Sequence, residues 1–196
     1  MNKRNKNLYA MAITAMLLGL GMLVPYLTGR IPQVGKFFSP LHIPVLICAL
    51  TCGWKWALGL GVALPLINSA VSLMPRFPDK AVPMVFELAV YGLAAGLVYA
   101  AFLRRNGKKN HWPYLILSLF IAMVLGRLVG GAAKGALFTF ILPDQTSYTV
   151  SAFFAMLFAD YFAGTAVGAA IHLVLIPPIV MALEKARLSP LAQSVQ

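Results

Sequence analysis

Gly126-Arg127-Leu128-Val129-Gly130-Gly131-Ala132-Ala133-Lys134-Gly135-Ala136-Leu137-Phe138 decides how this chain is read. It lies inside an apolar run, from about Pro113 to Leu142, that is long enough to cross a bilayer as a helix. Two cations stand within that run. A charge at the centre of a membrane helix costs about 2.5–3.5 kcal/mol on insertion scales, so each cation marks a candidate site. Arg127 and Lys134 are seven positions apart, which places them on nearly one helix face, two turns from each other. Gly126, Gly130, Gly131 and Gly135 surround them, and such small residues let neighbouring helices approach closely. The stretch predicts a helix that turns two cations into a pocket between packed helices. A purely structural reading, in which Arg127 and Lys134 pair with Glu87 and Asp160 to hold a bundle together, stays open at this point.

The rest of the chain supports a membrane setting. Of its 196 residues 60% are hydrophobic and only 11% charged, too few charges for the surface of a soluble domain. The expectation is an all-α membrane protein, a single domain over residues 1–196, with no room for a soluble catalytic domain. The net charge of +11 sits in short clusters between apolar runs rather than on one basic face. That pattern argues against a nucleic-acid partner and reports topology. Cys48 and Cys52 lie four apart in an apolar segment without a His or third Cys in metal-site spacing, so they read as two buried thiols. The N-terminal apolar run is too long for a typical signal sequence, and no small-residue cleavage pattern follows it.

Six apolar segments follow one another. They cover about Leu8–Leu27, Leu41–Cys52, Ala57–Leu73, Ala81–Leu103, Pro113–Leu142 and Val150–Leu183, the last interrupted by Pro177-Pro178. The second is too short to cross roughly 30 Å of hydrocarbon upright. Gly53-Trp54-Lys55-Trp56 reads as a tight turn with tryptophans at an interface, and residues 74–80 as a proline-punctuated loop. With six crossings, ten Lys and Arg residues fall on the side of the termini and four on the other. The excess predicts a compact bundle of six transmembrane helices with cytoplasmic N and C termini.

Given that orientation, depth follows at about 1.5 Å per helical residue. Glu87, Lys134, Asp160, Asn68 and His42, from five different segments, then fall in the outer half, with Tyr91 one turn below Glu87 and Arg127 deeper. Polar groups converging at one level predict a chamber that holds a captured solute. The candidate substrate-binding residues are therefore Glu87, Tyr91, Arg127, Lys134, Asp160, Asn68 and His42. Lys134 falls at the level of Glu87 and is placed to pair with it. His172 falls far deeper, toward the cytoplasm, outside this set. No zinc-protease, P-loop or nucleophile-elbow pattern is present, so no catalytic residue, metal or cofactor is expected in this chain.

Several stretches carry a resemblance. Pro40-Leu41-His42-Ile43-Pro44-Val45-Leu46-Ile47-Cys48, then Cys52-Gly53-Trp54, Leu64-Pro65-Leu66 and Phe86-Glu87-Leu88-Ala89-Val90-Tyr91-Gly92, make the chain similar to the substrate-binding S component of energy-coupling-factor vitamin transporters. Within these it resembles a branch assigned to hydroxymethylpyrimidine, pyridoxine or pantothenate. The resemblance implies a bacterial cell-membrane protein that binds a vitamin outside. It also implies a transmembrane coupling protein and two cytoplasmic ATPases as partners, with ATP used by those partners. It further implies small first-helix residues docking the coupling protein, here Ala10 and Thr14, with Ala12 and Ala15 beside them. A near-neutral chamber suits an uncharged aromatic alcohol, whereas pantothenate would place its carboxylate on Arg127 or Lys134. The competing class is a non-transport scaffold for membrane assembly or cell shape, which needs no converging polar chamber.

Overall fold

The segment too short to cross a membrane is the one around which most of the other helices pack. The computed structural model describes residues 3–27, 41–106, 112–138 and 166–193, and all regular structure there is helical. The helices are α1 (Lys3–Leu27), α2 (His42–Thr51), α3 (Trp54–Ser72), α4 (Ala81–Asn106), α5 (Trp112–Ala136), α6 (Ala166–Lys185) and the short α7 (Pro190–Gln193). In α2, ten residues long, every side chain but Ile43 is buried. A helix apolar all round has no solvent face to offer, so it belongs in an interior. Accordingly α2 touches α1, α3, α4, α6 and α7.

Among the described residues four helices have the length and hydropathy to span a membrane: Asn5–Leu23, Ala81–Arg105, Trp112–Ala136 and Val167–Lys185. The 19-residue α3 is not among them; it carries Lys55, Asn68, Ser69 and an internal Pro65. The most extensive packing joins α4 to α5 and α3 to α4. Small residues make the α3–α4 approach possible. A Cβ on Gly92 would lie 2.6 Å from the Ala57 carbonyl oxygen, and one on Gly61 2.5 Å from that of Leu88.

One end of the bundle gathers the start of α1, the end of α2, the start of α3 and the end of α4, with α7. Lys6 Nζ donates to Gln193 O at 3.1 Å, and Ser189 Oγ to Thr51 O at 3.2 Å. Gly96 abuts Trp54. Phe102 near the end of α4 stacks on Tyr114 near the start of α5, ring centroids 4.9 Å apart. The described ends of the chain therefore meet.

Two departures from the sequence expectation have a clear physical cause. α3 begins at Trp54, three residues early, because Gly53 turns the chain within one residue. Its φ of 95° is open to glycine, and the Cys52 and Gly53 N–H groups both return to Cys48 O. The Pro177-Pro178 pair does not interrupt the last helix, and α6 runs through it to Lys185. Apolar surroundings favour keeping the remaining backbone bonds, and proline is tolerated within such helices. The loops expected over 28–40 and 143–147, and the beginning of the last span near Val150, lie outside the described residues.

Candidate functional site

Glu87 stands two turns into α4, and Tyr91 follows one turn later on the same face. The Tyr91 hydroxyl donates to Glu87 Oε1 at 2.8 Å. Arg127 on α5 donates from Nε to that same hydroxyl at 3.3 Å. His42, the first residue of α2, brings Nε2 to 3.4 Å from Glu87 Oε1. Four side chains from three helices thus form one relay, Arg127 to Tyr91 to Glu87, with His42 on the carboxylate. All four are buried, none more than 9% exposed. A buried cation and a buried carboxylate linked through a hydroxyl satisfy one another where water is scarce.

The relay exists because α5 lacks side chains where it meets α4. A Cβ on Gly130 would fall 2.8 Å from Glu87 Cβ and 3.2 Å from Glu87 Oε2. A Cβ on Gly126 would run into the Tyr91 ring. Spaced four apart, the two glycines open one stripe of α5 to Glu87 and Tyr91, and Arg127 beside Gly126 reaches the hydroxyl.

This register corrects the expected partner of Glu87. Gly130, not Lys134, lies opposite it, and its Oε1 is shared by Tyr91 and His42. Lys134 is half-buried one turn farther along α5. A depth counted from presumed helix ends is good to about a turn, which is the size of the discrepancy. Asn68 is fully buried, but its amide donates to Gly21 O at 3.3 Å and Leu64 O at 3.1 Å, between α1 and α3. Its hydrogen bonds therefore do not join the relay. Asp160 lies outside the described residues.

One residue left out of the sequence set belongs beside the cluster. His172 on α6 is 1% exposed and stacks on His42, centroids 5.8 Å apart at 27°. His42 also meets the Tyr91 ring at 5.1 Å. A histidine inside the apolar run of α6 was the available signal. The Tyr91 ring itself is enclosed by Gly126 and His42, so its hydroxyl rather than its face serves the site.

A family model described as "ECF transporter, substrate-specific component" matches residues 9–184. The chain belongs to that family. No curated protein matches it, and no solved structure does. As an ECF substrate-specific component it is a multi-pass membrane protein that binds a substrate and is not an enzyme. Such components pair with a transmembrane coupling protein and with ATPases, which use the ATP. Membership sets aside the scaffold alternative.

In this S component the two first-helix residues expected to dock face inward. Ala10 is 2% exposed. The Thr14 hydroxyl donates to Ala10 O at 2.7 Å and lies 3.4 Å from Cys48 Sγ on α2. The outward stripe of α1 carries Ala12, Ala15 and Gly19 instead. Small residues occupy both faces of α1, so composition alone does not distinguish them.

Proposed function

We propose that this S component captures a small water-soluble vitamin at the Glu87–Tyr91–Arg127–His42 cluster and delivers it to its transporter. A hydroxymethylpyrimidine or pyridoxine is the favoured class. One observation carries the reading: a buried carboxylate held by a tyrosine hydroxyl and a histidine, with an arginine behind them. Glu87 accepts hydrogen bonds from the hydroxyl or amine groups of an aromatic alcohol. The longest link, His42 to Glu87 at 3.4 Å, is where an incoming donor enters. Lys134, Asp160 and Asn68 complete the proposed chamber, and Phe138, half-buried past the end of α5, offers a ring for stacking. Pantothenate is the second reading, because buried Arg127 suits a carboxylate.

The proposed topology is one domain of six crossings in the lipid bilayer, with cytoplasmic termini. The coupling protein docks on the outward stripe of α1, where Ala12, Ala15 and Gly19 permit close approach.

Calorimetry of the purified protein against pyridoxine, hydroxymethylpyrimidine and pantothenate tests the capture reading. The expected result is heat from an aromatic alcohol and roughly tenfold or greater weakening by Glu87→Gln, the loss of one charge-assisted bond. Binding confined to pantothenate, or affinity indifferent to Glu87→Gln, overturns it. In vesicles holding the whole transporter, Ala15→Trp should stop uptake while leaving calorimetric binding intact; unchanged uptake moves the docking surface off this stripe.

A further inference from the structure

The opposite end of the bundle holds a cavity of about 550 Å³, bounded by α1, the α2–α3 turn, α4 and α7. Lys55 and Arg104 line it, together with Trp54, Trp56 and Leu97, and none of its described lining residues is acidic. The Lys55 ammonium lies 5.5 Å from the Trp54 ring centroid, so this cation is held against an aromatic face. Along α4 the wall changes character. Leu97, 45% exposed, leads over seven residues, about 10 Å of helix, to exposed Arg104.

We propose that this cavity is a binding site for an anionic glycerophospholipid. Its phosphate is held between Lys55 and Arg104, its glycerol region lies against Trp54 and Trp56, and an acyl chain follows Leu97. The argument is charge complementarity combined with an amphipathic wall. Two cations with no carboxylate among the described lining residues call for an anion. A small soluble anion would leave the apolar part of the wall uncovered, whereas a lipid matches both parts. Tryptophans favour the boundary between headgroups and hydrocarbon, and basic pockets between helices suit anionic headgroups. A lipid seated here bridges α1, α3 and α4 at the end where they converge, away from the Glu87 cluster.

The chain has three tryptophans, so Trp112→Phe leaves Trp54 and Trp56 as the reporters. That protein, full-length, is reconstituted into vesicles of phosphatidylcholine and phosphatidylglycerol in which one lipid or the other carries brominated, fluorescence-quenching chains. Brominated phosphatidylglycerol should quench about two-fold or more strongly than brominated phosphatidylcholine at equal mole fraction. Adding Lys55→Gln and Arg104→Gln should abolish the preference, with Lys55→Gln alone giving part of the loss if the combination does not fold. Equal quenching by the two lipids in the parent, or a preference that survives loss of both cations, overturns the proposal. Loss of the preference in millimolar inorganic phosphate assigns the cavity to a soluble anion instead and overturns it as well.

Discussion

The seam between α4 and α5 and the seam between α1 and α3 are built in opposite ways. About half of each of α4 and α5 is buried, against 11% of the membrane-length part of α1. At the α4–α5 seam two glycines bring the backbones together, and Glu87, Tyr91 and Arg127 complete one another. At the α1–α3 seam the Asn68 amide nitrogen is bonded, but Asn68 Oδ1 and, one turn on, Ser72 Oγ have no hydrogen-bond partner among the described residues. The first seam is tightly packed and linked by hydrogen bonds. The second is left incomplete along a helix whose outer face is bare. The proposed function uses both kinds, a fixed constellation to recognise a ligand and an outward surface to meet a partner. Substitutions should accordingly act strongly at the first seam and weakly at the second.

The largest effect should come from closing the space that the glycines keep open. Gly126→Val drives a branched side chain into the Tyr91 ring, which is itself enclosed and cannot retreat. Overpacking of this kind costs about 3 kcal/mol. Thermal unfolding in detergent should show a large drop in melting temperature, and substrate binding should vanish. On α1, Gly19→Val meets nothing within 4 Å and should leave the melting temperature nearly unchanged. Equal effects at the two positions would erase the contrast between the α4–α5 seam and the outward face of α1.

A smaller loss should follow from Tyr91→Phe, which keeps the ring and removes only the oxygen joining Arg127 to Glu87. Removing one partner of a buried hydrogen-bonded group costs about 1–3 kcal/mol, and here two charged groups lose it together. Stability and affinity should fall jointly, while Tyr91→Ala, which also leaves a cavity, should fall further. A Tyr91→Phe protein with full stability and affinity would show that the relay is not what orders the site.

Much of this was legible before any coordinates. Glu87 and Tyr91 at helical spacing, glycines four apart beside Arg127, and a second segment too short to cross all follow from residue order. Three features were not. The partner of Glu87 depends on register between helices, and an uncertainty of one turn is enough to exchange Lys134 for Gly130 opposite it. The level of His172 does not follow from residue order, because the start of its helix is not marked in the sequence; its ring stacks on His42 beside the cluster. The inward face of α1 is decided by contacts such as Thr14 with Cys48, and alanines on both faces give no signal of it.

Among the seam substitutions, the smallest effect on stability should be at Asn68, where the two seams are compared most sharply. Its amide donates two hydrogen bonds to backbone carbonyls, so truncation removes about 1 kcal/mol for each. Against that, its Oδ1 is buried without a partner, a cost of similar size in the native protein. Asn68→Leu, close in volume, removes both contributions and adds apolar surface to a fully buried position. The two should nearly cancel, leaving unfolding within about 1 kcal/mol of the parent. Affinity is the informative readout. If the unpartnered oxygen is reserved for substrate, as its proposed place in the chamber requires, Asn68→Leu should weaken calorimetric binding while the melting temperature holds. A protein that loses stability and keeps its affinity would make Asn68 a clamp between α1 and α3, and would remove it from the chamber.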